Sequence, residues 1–403
     1  MSGKAQRCWC RAPTALLTRP ALFSVFALKL AIEILAYLSL ALTFWRWAVA
    51  CHFPLHRRSL APPSSEGVTV LKPLRGCDEE TKRCLKSWMT QQHAGPVQIL
   101  FGVASPDDPA CTIVSELMSE HPNCKAELII CDQTVGTNGK VSSLAQLEPA
   151  IAYDLVIVSD ADVFVPSEFL ANVIPMFEDV TVGLINCFYR LANPSTLAMR
   201  WEAVAVNADF WSQVLQSRSI QKVEFALGAV MALPKAQLQK IGGFKGLANY
   251  LADDYELGRR VAKSGKRIEF STIAVDCYEA QQSWGKVWAH QVRWARTIRI
   301  CQPLPYFMSI LNNATVWPVL WMIVDPQAAL CGFSFLFFRM LTATHLQSRL
   351  TKSNKHVVYF WLAPISDLLG FAVWALSFLG NTVIWRGQRL RVQSDGKLAQ
   401  PRN

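Results

Sequence analysis

The sequence predicts an α/β domain carried on membrane helices, and three observations predict it. Short β-branched apolar runs alternate with amphipathic helical patterns between residues 68 and 188. Strands separated by helices in that way build a mostly parallel sheet covered on both faces. Residues 21–45 are almost wholly apolar, over about the 20 residues that a spanning helix requires. Three further apolar stretches fill the C-terminal quarter. A chain of 403 residues then accommodates one soluble domain, of roughly 200 to 250 residues, beside this membrane portion.

In chain order, residues 1–20 form a polar tail and 21–50 a transmembrane anchor. Lys29 and Glu33 interrupt the anchor, but they stand four apart on one helical face and can pair. No cleavage site of small residues follows, so the segment is expected to remain as an anchor. Pro62 to Gly67 reads as a linker, and 62–282 as the soluble domain. Its expected strands are 68–71, 97–103, 126–131, 155–159 and 182–188, with helices over 79–91, 110–120, 140–151 and 166–177. Strict alternation then stops. Residues 198–215 read as one long helix, and 225–233, with Gly228 inside it, as a strand or strand-like loop. Gly242-Gly243-Phe244 turns the chain before a helix over 254–263 that Gly265 is placed to stop. No internal repeat or low-complexity tract is visible.

Residues 283–302 form an amphipathic helix expected to lie in the membrane interface. Residues 303–386 hold the remaining apolar stretches, 304–324, 328–344 and 357–385, as spanning or re-entrant segments. Asp325-Pro326 reads as a tight turn between the first two, while Asn312, Asn313 and Pro318 weaken the first as a straight span. Residues 387–403 close the chain as a basic tail.

The net charge of +10 does not indicate nucleic acid, because the basic residues gather beside the apolar segments. Arg46, Arg57 and Arg58 follow the anchor, Arg349, Lys352 and Lys355 stand between spans, and Arg386, Arg389 and Arg391 come at the end. Such residues favour the cytoplasmic side and anionic headgroups. Lys4, Arg7, Arg11 and Arg19 precede the anchor, so charge alone does not fix orientation. The twelve cysteines show no metal-ligand spacing, and reduced, mostly buried thiols in a cytosol-facing protein are expected.

The chemistry concentrates in three places. Asp160 and Asp162 follow an apolar run that ends at the edge of the sheet, where open α/β sheets bind ligands. Two carboxylates so spaced can both reach one hard cation, and that cation can neutralise a diphosphate; an Asp-rich turn of no further purpose has the same look. Asp253 and Asp254 stand at a helix start. There they either stabilise the helix dipole or supply a general base, and Asp254 is the assigned base. On the amphipathic helix, Trp284, Trp288, Gln291, Ala295 and Ile298 share a stripe flanked by Lys286, Arg293, Arg296 and Arg299. Within it, His290-Gln291-Val292-Arg293-Trp294 offers an amide, a guanidinium and an indole suited to phosphate and a sugar face.

Asp160-Ala161-Asp162, Asp253-Asp254-Tyr255 and Gln291-Val292-Arg293-Trp294, in this order and ahead of C-terminal spans, resemble the signature of membrane-bound family 2 type glycosyltransferases. Other motifs narrow the likeness: Leu71-Lys72-Pro73-Leu74-Arg75-Gly76, Asp107-Asp108-Pro109-Ala110, Gly139-Lys140, the Gly228 segment and Trp385-Arg386 with Arg389-Leu390-Arg391. These resemble ceramide glucosyltransferases and the related bacterial enzymes that glycosylate hopanoid lipids. The resemblance runs from about Val68 to Arg391.

It implies a GT-A-like nucleotide-diphospho-sugar transferase domain facing the cytosol, with the bacterial inner membrane favoured and a Golgi or ER membrane compatible. It further implies a UDP-sugar donor, a divalent cation (Mn2+ or Mg2+), and transfer with inversion to a lipid hydroxyl of a ceramide or hopanoid. The sugar would be glucose or an N-acetylhexosamine. On the matching positions, Asp160 and Asp162 take the metal and diphosphate role, Lys140 and Asp108 contact the nucleotide, and Asp254 is the base. Arg293 and Trp294, with Gln291, close over the diphosphate and acceptor, and His290 and Asp253 serve the acceptor or the closure. Two positions depart from the pattern. The first family aspartate falls on Ser105, so that Asp107 or Asp108 substitutes or nucleotide affinity drops, and His290 stands where Gln or Arg is usual. A processive polysaccharide synthase would share the motifs but need a translocation channel, for which three or four short spans are too few. A catalytically silent lipid- or nucleotide-binding relative is the other alternative, motivated by Ser105.

Overall fold

The computed structural model describes residues 19–60, 62, 64–385 and 388–399. Most of the polar tail, including Cys8 and Cys10, and also Pro63 and Arg386, lie outside the described residues. Helix α1 (Arg19–His52) covers the segment expected as an anchor, and Phe26, Leu30, Ile34 and Phe44 keep its outer surface apolar. Two expectations about it are corrected. Lys29 does not pair with Glu33 but lies 3.8 Å from Asp325, because the turn between two later helices brings an opposite charge to the same end. Arg46 does not follow the anchor as a headgroup contact: it is buried within the helix, 3.3 Å from Asp209.

The soluble domain begins with β1 (Val68–Pro73), α2 (Thr81–Met89), β2 (Val97–Val103), α3 (Ala110–Glu120), β3 (Lys125–Ile130), α4 (Gly139–Leu147) and β4 (Leu155–Ser159). These four strands pair in parallel, in the order β3-β2-β1-β4. Side chains alternate along β1, β2 and β4, so both faces of the sheet's middle are apolar and covered, while the edge strand β3 stays partly exposed. Val68 and Val70 pack with Ile99, Phe101, Trp88 and Val114 on the α2–α3 side, while Leu71, Leu100, Val156 and Val158 pack with Leu144 and Val261 on the other.

The second half adds β5 (Val163–Phe164), α5 (Phe169–Val173), β6 (Val182–Asn186), β7 (Tyr189–Leu191), α6 (Leu197–Val204) and α7 (Trp211–Arg218). The expected long helix is thus two, joined by a π-helical turn over Ala205–Phe210. Next come β8 (Val230–Pro234), α8 (Lys235–Lys240), α9 (Asp253–Lys263), β9 (Arg267–Phe270) and β10 (Val275–Cys277). The sheet is completed as β3-β2-β1-β4-β8-β6-β9, with β8 antiparallel to both neighbours, and β5, β10 and β7 form a small second sheet. The strand expected from Phe225 starts only at Val230. Asn186 supplies the hydrogen bonds that a ladder would have given, accepting from Leu227 N (3.1 Å) and donating to Phe225 O (3.2 Å).

The remaining helices are α10 (Trp284–Cys301), α11 (Pro303–Met308), α12 (Val316–Val324), α13 (Ala329–Thr351) and α14 (Leu362–Ser377). Among the described residues two helices, Phe26–His52 and Pro326–Thr351, are long and apolar enough to cross a membrane. A third crossing exists if α11 and α12, bent by 53° at their junction, make one span. Asn313 makes the bend: its side-chain oxygen accepts from Thr315 N and Val316 N, and its amide donates to Asp367 O.

Contacts sort the ends of these helices. Lys29 meets Asp325 at one end; at the other, His56 Nε2 lies 2.9 Å from Arg349 O and Arg190 donates to Thr351 O beside the soluble domain. The stretch expected to continue to Trp385 stops as helix at Ser377. Thr382–Trp385 is instead strand β11, paired with β12 (Gln388–Val392), which pairs with β13 (Leu398–Ala399). Val383, Leu390, Val392 and Leu398 bury against Leu251, a core that a transmembrane segment and a solvated basic tail would not have provided.

Candidate active site

Strand β4 delivers Asp160 to the sheet edge, where its N–H donates to Ala229 O (3.1 Å). Beneath the turn, the fully buried Lys72 donates to Ser159 Oγ (3.1 Å) and to Asp160 O. Burial pulls the Lys72 ammonium down to about 8, against the opposing charge of Asp162. Burial, and then the nearby charges of Asp160 and Glu279, push the Asp162 carboxyl up to about 7, with Lys72 pulling the other way. Lys72 alone thus leaves the buried Asp162 carboxyl short of positive charge. Tyr278 N holds the turn from the far side by donating to Asp162 O (3.0 Å).

A second ammonium reaches the turn from α4. Asn138 caps the helix, accepting from Val141 N (3.2 Å), and its amide donates to Tyr250 O (2.8 Å) and Asp253 Oδ1 (3.2 Å). The first turn of α4 thereby places Lys140 Nζ 2.6 Å from Asp160 Oδ1 and 3.8 Å from Asp253 Oδ2. Burial works to lower the Lys140 pKa, but the two carboxylates outweigh it and hold the ammonium charged. Asp253 is thus buried and committed, whereas its neighbour Asp254 faces Gly228. A Cβ on Gly228 would lie 2.9 Å from Asp254 Oδ2, so glycine is what lets the carboxylate occupy this place. Asp254 Oδ1 accepts from Tyr255 N (2.8 Å). Burial first, and then Asp253, raise the Asp254 carboxyl to about 6, with Lys140 opposing. The loop 228–229 therefore touches both Asp254 and Asp160, and the acidic groups converge at one edge of the sheet.

Helix α10 closes the third side. His290 Nδ1 lies 2.7 Å from Glu202 Oε1, and Gln291 Nε2 donates to the same oxygen (2.9 Å). Glu202 is buried on α6 and was not singled out from sequence. Its one visible signal is a carboxylate in the run Trp201-Glu202-Ala203-Val204, whose other members are apolar. Arg293 is desolvated, which lowers its pKa, while the charges of Glu202 and Asp254 raise it. The Trp294 ring stands edge-on to His290 at 4.6 Å and tilts against Phe210 at 6.2 Å. The Trp284 and Trp288 rings both lie 5.7 Å from the Trp201 ring, so the stripe packs in part on α6, while Trp284 stays 46% exposed.

Asp108 sits apart from this cluster. Its oxygens accept from Gly76 N (2.9 and 3.0 Å) and from Ala110 N (2.9 Å), bracing the loop after β1 against the loop after β2. Gly76 has φ of 68°, which glycine adopts without strain. Ser105 and the exposed Asp107 belong to the same turn, where Ser105 Oγ accepts from Asp107 N (3.2 Å). Among the described residues no group of three or more His, Cys, Asp or Glu side chains is disposed to hold a metal.

Comparison with known proteins places this geometry in context. The family model described as Glycosyl transferase family 21 matches residues 28–398. Ceramide glucosyltransferase 1 of Caenorhabditis elegans is 22% identical over 366 residues, 87% of this chain and 77% of that protein. Beta-monoglucosyldiacylglycerol synthase of Trichormus variabilis is 24% identical over 191 residues, 45% of this chain and 38% of its own. Among solved structures, the mannosyltransferase PcManGT from Pyrobaculum calidifontis, in complex with GDP-Man and Mn2+, is similar in fold with a TM-score of 0.52. Its identity is 18%, and the match covers 88% of this chain and 99% of that one.

Proposed function

Because the chain belongs to glycosyl transferase family 21, and is therefore a glycosyltransferase of GT-A-like fold, we propose that it transfers a hexose, with inversion, from a UDP-sugar to a hydroxyl of a membrane lipid. The observation that carries this reading is the convergence of Asp160, Lys140 and Asp254 at one sheet edge, beside a helix that leads directly into the membrane segments. The lipid acceptor is supported by the ceramide glucosyltransferase and glucosyldiacylglycerol synthase relatives, and by helices long and apolar enough to cross a bilayer. We read the soluble domain as facing the cytosol, in a bacterial inner membrane or an early secretory membrane.

In this reading Asp254 accepts the proton of the acceptor hydroxyl as its oxygen attacks the anomeric carbon, and the bond from that carbon to the diphosphate oxygen breaks. A pKa near 6 suits a general base, because the group is ionised at neutral pH yet basic enough to draw the proton. The departing nucleoside diphosphate carries the developing charge. Lys140 and Arg293 stand on two sides of the site to meet it, and Asp160 and Asp162 would hold a divalent cation, Mn2+ or Mg2+, that supplies Lewis-acid charge there. Glu202 fixes His290 and Gln291, so that α10 presents Arg293 and Trp294 over the donor. Asp108 shapes the loops against which the nucleotide would lie.

The test is direct. Purified full-length protein in lipid vesicles is given radiolabelled UDP-glucose or UDP-N-acetylhexosamine with a panel of lipid acceptors, in the presence of manganese or magnesium. A labelled lipid is expected; folded protein that labels none from any donor overturns the reading.

A further inference from the structure

Helix α14 has 16 residues, about 24 Å of helix, against a hydrocarbon core of about 30 Å. Both of its ends are held on the side of the soluble domain. Before it, the Arg200 guanidinium of α6 lies over the Tyr359 ring at 4.3 Å, and His356 Nε2 lies 3.1 Å from Thr344 O in the C-terminal part of α13. After it, Arg299 of α10 donates to Gly380 O (3.2 Å), and β11 joins the small sheet packed on Leu251. A helix that crossed would part these two ends by the thickness of the bilayer. α11 is tied to the same side: Gln302, the residue before it, donates to the Tyr255 hydroxyl of α9 (2.8 Å), and Trp374 Nε1 of α14 donates to Tyr306 O (3.1 Å).

The outward faces of both helices are apolar. Ile365, Leu368 and Phe371 follow one another at helical spacing and are exposed, as are Leu304 and Phe307 on α11, and Leu379, just past α14, is 76% exposed. The one charge within α14, Asp367, is turned inward onto Arg339 (2.7 and 2.9 Å). On its inner side Val373 packs with Val287 and Ala295 of α10, and Leu362 and Ala363 pack with Leu346 and Leu350 of the spanning helix α13, so the apolar face continues from the membrane-crossing surface. Basic residues border it at both ends. Lys352 and Lys355 are exposed ahead of α14, and in the sheet after it Arg389 stands opposite Ile384, both of them exposed. An uncharged apolar face of this extent, continuous with a spanning helix and edged by cations, fits hydrocarbon beneath anionic headgroups.

Resting on the membrane reading above, we infer that α14 does not cross the bilayer but lies, with α11 against it, in the leaflet that faces the soluble domain, with anionic headgroups at Lys352, Lys355 and Arg389. This seat sets the height of α10, and with it of Arg293 and Trp294, over the lipid surface.

The experiment uses the full chain in vesicles of phosphatidylcholine mixed with phosphatidylglycerol, without a sugar donor. Carbene labelling from a diazirine on the acyl chain is expected over residues 304–308 and 365–379, about tenfold above the yield over β3 in the soluble domain and at every ratio of lipid to protein. Background yield there overturns the inference, and crosslinking between copies through Leu368→Cys would then assign the face to a second copy of the chain. Topology is read separately. Asn354→Cys and Ser394→Cys, at exposed positions on either side of α14, should react with an impermeant maleimide as fully as the exposed Cys77 of the soluble domain. Protection of one of them until detergent is added shows that α14 crosses, and overturns the inference. Labelling from a diazirine on the phosphatidylglycerol headgroup is expected over 352–356 and 388–392, and should fall about fivefold when Lys355→Glu and Arg389→Glu are combined. An unchanged yield overturns the headgroup assignment. None of these readouts needs turnover: the expected pattern in a protein that glycosylates no lipid sinks the proposed function and upholds the seat, and lipid glycosylation by a protein whose α14 stays unlabelled does the reverse.

Discussion

Lys140 Nζ lies 2.6 Å from Asp160 Oδ1, a charge-assisted bond between the first turn of one helix and the loop after the central strand β4. It sets an ammonium directly against the Asp160 carboxylate and also reaches toward Asp253. Lys140→Met should therefore remove a contact worth about 1.5–3 kcal/mol and leave Asp160 under-compensated. The expected outcome is a rise in donor KM of roughly ten- to a hundred-fold, measured by initial rates against UDP-sugar concentration. An unchanged donor KM would assign Lys140 to folding alone.

Asp254→Asn keeps the shape of the side chain and removes its basicity. Turnover should fall by roughly a hundred- to ten-thousand-fold while donor binding, measured by calorimetry, is preserved. The wild-type rate should carry the titration of this group. Its carboxyl is raised to about 6, so the base is protonated and idle below that value, and kcat/KM should fall as pH drops through about 6. The linkage to stability has the opposite sign. A folded-state pKa above the ordinary carboxylate value favours the protonated fold, a contribution present at low pH and lost as pH rises toward 6. A rate profile flat from pH 5 to 8 would remove the assignment.

Gly228 separates the role of conformation from the role of space. Its replacement Gly228→Ala brings a Cβ within 2.9 Å of Asp254 Oδ2 and must displace the carboxylate by a few tenths of an ångström or more. Because misplaced catalytic groups lose rate steeply, kcat should drop at least tenfold with thermal stability lowered by no more than a few degrees. Activity equal to wild type would show that Asp254 does not work from this position.

Glu202→Gln tests whether one buried carboxylate positions α10. The variant replaces the oxygen shared by His290 and Gln291 with a weaker neutral partner. Donor KM should rise about tenfold, and hydrogen exchange over residues 288–296 should quicken. Glu202→Asp, which keeps the charge on a shorter stem, should recover part of the loss. Recovery absent in every readout would make the residue a packing element only.

How much of this was legible in the sequence depended on the range of the interaction. Strands β1, β2 and β4 announce themselves because they are buried on both faces and so read as nearly continuous apolar runs, and Asp160 and Asp162 follow from one such run ending at an edge. The placement of Lys140 was accessible only through a family pattern, since its partner Asp160 is set by sheet order rather than by local spacing. Glu202 lies 88 positions from His290, and nothing within its own helix marks it beyond being charged among apolar neighbours. Lys29 looked paired with Glu33 because four residues make one helical turn, yet the fold supplied Asp325 instead. Likewise Thr382–Trp385 is as apolar as the helix before it, and only its partners in β12, with Leu251 beneath, make it a strand. Local periodicity carries strands and amphipathic faces; it carries no information on which distant charge arrives.

That C-terminal sheet yields the last prediction. Leu398 N donates to Asn249 O (2.8 Å) and Leu251 N to Gly396 O (3.2 Å), so the chain returning from the membrane clamps the segment just ahead of Asp253 and Asp254. Arg296 donates to Thr382 O and Arg299 to Gly380 O (3.2 Å), tying the same sheet to α10. It therefore links two of the three walls of the candidate site. Leu390 is buried against Leu251 and Val383, and Leu390→Ala should cost about 2–5 kcal/mol locally, as core truncations of leucine do. Because the loss falls on the clamp rather than on the central sheet, hydrogen exchange should rise first over residues 249–254 and 296–300, with strands β1, β2 and β4 still protected. Activity should fall in parallel with that local opening. A variant equally protected at 249–254 and equally active would show that the start of α9 holds its position without the returning strand.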